Sequence, residues 1–152
     1  MAPNAVVALG HPFRGDDGVG LKVLELLRED KRLPKDVDLI DAAGSSMAAF
    51  HALSGRRKVL FIDCASMGGE PGECRLFRPS DVATRKTLAG LSLHEGDLLQ
   101  TLEAALQLGD TAEEVLILGI EPQDVGMGAG LSEALQKRLS EYVSRVIEVF
   151  GR

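Results

Sequence analysis

The chain has 152 residues with 45% hydrophobic side chains, enough for one domain with one core that buries roughly two thirds of the unfolded surface. Lys+Arg is 17 against Asp+Glu 23, a net charge of -6 with no basic block, which argues against nucleic acid and acidic membrane surfaces as partners. Two cysteines, Cys64 and Cys74, fall short of a disulfide framework, and no apolar run approaches the roughly 20 residues that cross a bilayer.

Met1-Ala2-Pro3-Asn4 lacks the basic region that opens a signal peptide, so a cytoplasmic location is expected. Ala5 to Leu9 is an apolar, valine-rich run ending at Gly10, and a turn-forming segment with Pro12 and Gly15 follows. Asp16 and Asp17 come just before a helical pattern. In that helix Val19, Val23, Leu26 and Leu27 share one face, and it should end near Asp30, ahead of Pro34. Val37 to Asp41 alternates like a half-exposed strand; Ser45 is placed to cap a brief helix through about Leu53.

Val59-Leu60-Phe61-Ile62 is a continuous apolar run, as in a strand buried on both faces, and ends in Asp63. Gly68 to Gly72 reads as a tight turn leading to a short strand, Cys74 to Arg78, of antiparallel sense. Pro79 to Leu91 shows no clear period and is expected to be mostly mobile loop. Ser92-Leu93-His94-Glu95 has the form of a capping box, with Leu98, Leu99, Leu102, Ala105 and Leu106 behind it on one helical face. Val115 to Ile120 is a further buried strand, Gly126, Gly128 and Gly130 a flexible loop, and Leu135, Leu139, Tyr142, Val143, Val146 and Phe150 the face of one closing helix. Strands alternating with helices predict an α/β fold: a single three-layer α/β/α sandwich over residues 1–152 with a mainly parallel sheet of about five strands.

In such sheets, sites form in the crevice at the carboxyl ends of the strands. Asp16 or Asp17, Asp63 and His94 are therefore the candidate constellation. Two carboxylates and an imidazole suit a borderline divalent ion such as zinc or nickel, and His94 in a helix's first turn is biased toward its neutral, metal-ligating form. The plain alternatives are an N-cap for the first acid, a turn residue for Asp63 and a structural role for His94. Cys64 should face away from Asp63, because side chains alternate along a strand, and is read as buried filler, with Cys74 a weaker candidate still. His51 is expected at the surface. The Gly10 loop lacks Gly-Lys-Ser/Thr and a complete dinucleotide fingerprint, so it is not a phosphate loop.

Three ordered motifs now stand together: Gly10-x-Pro12-x-Arg14-Gly15-Asp16-Asp17-Gly18-Val19-Gly20, then Val59 to Asp63 leading to Gly68-Gly69-x-Pro71-Gly72, then Ser92-Leu93-His94. With Val115 to Pro122 and Gly130-Leu131-Ser132, the pattern resembles the hydrogenase maturation proteases over nearly the whole chain. The resemblance implies a phosphorylase/hydrolase-like fold. It also implies an endopeptidase that removes the C-terminal extension of a nickel-loaded hydrogenase large-subunit precursor. Asp17, Asp63 and His94 match that family's three metal-contacting positions, and the nickel would be carried by the precursor, with another divalent ion able to stand in for it in isolated protein. Asp16 matches an acid of less defined role, and His11 stands where the family usually has asparagine. Cleavage would be aspartic-type or metal-assisted: the ion polarises the carbonyl or lowers the pKa of a bound water, with a carboxylate as general base. Two further readings share parts of the pattern: a receiver-like phosphoacceptor domain, and a non-catalytic escort of a metallated partner.

Overall fold

The computed structural model describes residues 1–43, 45–84 and 97–151. Its sheet contains β1 (Asn4–Ala8), β2 (Val37–Asp41), β3 (Lys58–Cys64), β4 (Cys74–Phe77) and β5 (Glu114–Ile120), in the spatial order β2-β1-β3-β5-β4. The first three and β5 run parallel, and β4 is the antiparallel edge. Chain direction explains that edge. The segment leaving β3 at its carboxyl end enters β4 through a short loop with no helix to carry it across the sheet, so β4 must run back.

Period-two alternation divides the core. Val6, Ala8, Leu60, Ile62, Leu118 and Ile120 point to the layer formed by α1 (Val19–Arg28) and the last helix, while Ala5, Val7, Leu9, Val59, Phe61 and Ile117 point to the opposite layer. That opposite layer holds Ala49, Ala52 and Leu53 of α2 (Ser46–Leu53) and Leu102 and Ala105 of a helix over Asp97–Gln107. The α/β/α sandwich and its mainly parallel five-stranded sheet are as expected from the alternating pattern.

Several local expectations are corrected. Pro79–Thr84, expected as loop, is a short helix, α3. Proline is tolerated in a helix's first turn, and the Asp81 carboxylate accepts the Arg78 main-chain N–H at 2.9 Å, so the end is capped although no apolar period announces it. The next helix, Asp97–Gln107, is α4; its expected capping box, Ser92 to Glu95, lies outside the described residues, as do Gly44 and the stretch 85–91. The closing helix is two: α5 (Glu133–Gln136) and α6 (Leu139–Phe150), broken where Arg138 leaves helical backbone at φ -110, ψ 9. Leu26 and Leu106 lie exposed rather than on their helices' buried faces, and Leu24 takes the inward place on α1.

Candidate active site

The strand order reverses between β1 and β3: the chain leaves β1 for β2 on one side and returns to β3 on the other. At such a switch point the segments leaving the strands diverge at the carboxyl edge, the place where open α/β sheets form their sites. From β1 the chain enters it through Gly10, whose φ of +101 suits glycine, and a Cβ there would overlap the Asp17 carbonyl oxygen. A 3-10 turn, Gly15–Gly18, then carries both acids directly into α1. Neither acid caps α1: its N-cap is Gly18, with no side-chain cap bond.

Asp17 is 6% exposed, and its Oδ2 accepts the His11 main-chain N–H at 2.9 Å. The departure at position 11 therefore meets the site through backbone that any residue but proline would supply. His11's ring is turned to its own turn instead, with Nδ1 accepting the Phe13 N–H at 3.2 Å. Asp63 is fully buried at the end of β3. Both carboxylates are enclosed rather than open to solvent. His94 lies outside the described residues, and among those described no trio of His, Cys, Asp or Glu side chains surrounds a common point.

The wider edge is more acidic than sequence reasoning foresaw. Among the described residues the buried acids are Asp16, Asp17, Asp63 and Glu121, and all four stand at the carboxyl ends of β1, β3 and β5. Cys64 lies close enough to all four to feel their charge. Burial pushes its thiol pKa up first, and the negative charges of Asp17, Asp63, Asp16 and Glu121 add to the effect, so the sulfur stays protonated. As expected from strand alternation, Cys64 belongs to the opposite core layer from the Phe61 face, and it has no thiolate with which to act as a nucleophile.

Two of the four acids are anchors. Asp16 is fully buried and its Oδ1 accepts the Ser132 N–H at 2.7 Å. Oδ2 accepts the N–H groups of Gln123 and Asp124 at 2.8 and 2.9 Å and the Ser132 hydroxyl at 2.8 Å. The glycine-rich segment after β5, expected to be flexible, is thereby tied to the β1 loop. Glu121 Oε1 accepts the N–H groups of Met67 and Gly69 at 2.7 and 3.0 Å, fixing the turn that leads into β4. Sequence reasoning missed Glu121; its one signal was an acid placed directly after a buried strand, the same signal that singled out Asp63.

Comparison with known proteins follows the same lines. Residues 21–149 match the sequence model of a family described as hydrogenase maturation protease, a span that includes Asp63 and His94 and begins just after Asp17. The chain is 25% identical over 149 residues to the hydrogenase expression/formation protein HoxM of Azotobacter vinelandii, covering 97% of this chain and 72% of that one. It is 21% identical to the hydrogenase 2 maturation protease of Escherichia coli, over 93% of this chain and 87% of the other. Among solved structures it is similar to the hydrogenase maturating endopeptidase HybD of Escherichia coli, with TM-score 0.84 at 21% identity over 98% and 91% of the two chains, a likeness of fold. A hydrogenase 2 maturation peptidase from a Thaumarchaeota archaeon is 30% identical, with TM-score 0.70 over 97% and 98%.

Proposed function

The chain belongs to the hydrogenase maturation protease family, and from that premise we propose that it removes the C-terminal extension of a nickel-loaded hydrogenase large-subunit precursor in the cytoplasm, recognising the nickel through Asp17, Asp63 and His94. The observation that carries the site assignment is the pair of enclosed carboxylates, Asp17 and Asp63, distant in sequence but held at the ends of adjacent parallel strands. Carboxylate oxygens at the ends of neighbouring strands are hard anionic donors that a divalent cation brought by a substrate would engage. The donor set fits nickel: two carboxylate oxygens, with His94 offering an imidazole.

In this reading the ion is part of the substrate, and gripping it registers the scissile bond in the crevice. Its positive charge polarises the scissile carbonyl, and a carboxylate oxygen at the site takes the proton of the attacking water. Cys64 takes no part, because its sulfur is held protonated and faces the other core layer. The receiver alternative is disfavoured by topology, since that fold has the order 2-1-3-4-5, whereas here the edge strand is β4, antiparallel, beyond β5. Among the described residues no helix is long and apolar enough to cross a membrane.

The test mixes the protein with nickel-loaded precursor and follows loss of the C-terminal peptide by intact mass. Cleavage by the wild type and its loss with alanine at Asp17, Asp63 or His94 is the expected result; undiminished cleavage by all three variants overturns the site. A nickel-free precursor should stay whole, whereas its cleavage at the same rate would mean an aspartic-type reaction independent of the ion. An escort would bind the loaded precursor and leave it uncut.

A further inference from the structure

Among the described residues the Asp16 carboxylate accepts hydrogen bonds from Gln123, Asp124 and Ser132, all more than a hundred positions away in sequence, with separations of 107, 108 and 116. Backbone bonds reinforce the join: the Asp16 N–H donates to the Asp124 carbonyl at 2.8 Å, the Gly15 N–H to Gly128 at 2.9 Å, and the Gly128 N–H to Phe13 at 2.9 Å. A parallel bridge pairs Arg14 with Gly128 and so sets Phe13 beside Met127. Both side chains are directed outward, 60% and 89% exposed, and Val125 on the same segment is exposed as well. A buried anion thus holds two loops together, with apolar side chains displayed beside the loop that carries Asp17.

We propose that Asp16 is a positioning residue: it holds the segment from Gln123 to Ser132 against the β1 loop as a wall for an extended apolar peptide, here the precursor's C-terminal segment. This rests on the endopeptidase reading above. The occupant follows from continuity with the proposed site, because the exposed Phe13 lies on the same short loop as Asp17, four residues before it. An asparagine at 16 cannot substitute. One amide face would present N–H groups to the N–H of Ser132, or to those of Gln123 and Asp124, wherever the ring of donors is met.

The experiment compares wild type with Asp16→Asn, Gly128→Ala and the double variant Phe13→Ser/Met127→Ser. Initial cleavage rates are measured against precursor concentration, precursor binding by calorimetry, and amide hydrogen exchange in the free proteins. Asp16→Asn should lose exchange protection at Gln123, Asp124 and Ser132 and raise KM by about tenfold or more, with kcat changed far less. Gly128→Ala, which places a side chain at φ +131 where nothing crowds the new Cβ, should shift KM the same way through the loop alone. The surface pair should raise KM and weaken binding while those three amides stay protected. A wild-type KM for the surface pair, or for a folded Asp16→Asn that has lost protection, overturns the proposal; if Asp16→Asn does not fold, the other two variants decide it. A wild type that leaves the precursor whole counts against the endopeptidase reading, and binding by the surface pair still decides the wall: equal affinity to wild type overturns it.

Discussion

At the scale of single residues, hydrogen bonding separates the anchors Asp16 and Glu121 from Asp17 and Asp63, the pair proposed to grip the ion. Asp17 and Asp63 are enclosed where two parallel strands end, and alanine at either should lower cleavage on the order of a hundredfold or more in a precursor assay. Cys64→Ala should leave the cleavage rate near that of the wild type, costing about 1 kcal/mol of stability by urea unfolding, because the buried thiol serves as packing. In the folded wild type, alkylation followed by mass should leave Cys64 unmodified at neutral pH, since burial and four nearby carboxylates keep its proton on. The place of Asp63 at the end of a buried strand was legible in the sequence, because an acid ending an apolar run breaks a local rule. The division of labour between Asp16 and Asp17 was not, for adjacent identical side chains differ only in where the turn aims them. A 3-10 turn sends one toward the crevice loop and the other under the distant Gln123 to Ser132 segment, and no periodicity encodes that.

At the scale of elements, apolar pattern located what it packs and missed what hydrogen bonds alone hold. The sheet strands and the inward faces of α1 and α6 follow from alternation and helical spacing. Short α3 escaped because its stability rests on Pro79 and the Asp81 cap rather than on an apolar stripe, and the break before α6 escaped because Leu135 and Leu139 keep helical spacing across it. Between elements, the Tyr142 hydroxyl donates to the Gly72 carbonyl at 2.6 Å in the interior, linking α6 to the turn before β4. Tyr142→Phe strands that carbonyl and should cost about 1–2 kcal/mol in chemical denaturation, with the turn's amides exchanging faster.

At the scale of the whole molecule, the carboxyl edge of the sheet carries the buried acids, and the opposite edge has its own buried charge, Arg56. Its guanidinium bonds Asp38 at 2.8 Å and the carbonyls of Ala2 and Ala52 at 2.7 Å each, fastening the N-terminus, β2 and α2 to one another. The Arg56 bond first, and the Ala2 N–H next, hold the Asp38 carboxyl below the usual carboxylate range. A lowered native pKa stabilises the fold above the ordinary aspartate value of about 3.9, and that contribution fades as pH falls through the lowered one. Asp38→Asn should therefore melt below wild type at neutral pH, with the gap closing in acid, as thermal unfolding across pH would record. The alternation of strands and helices foretold the fold class, but this fastening of the N-terminus to β2 and α2 is a product of topology, which sequence pattern reaches only through its elements.

The clamp at Asp16 also sets a clock. Its partners emerge from the ribosome more than a hundred residues after it does, and contacts so far apart close late, once the intervening loops have folded. A nascent chain that has released β1 and β3 already owns both candidate carboxylates, yet the rim beside them cannot assemble before the segment after β5 is synthesised. On the proposed role of the rim, competence to engage a polypeptide arrives with the final quarter of translation.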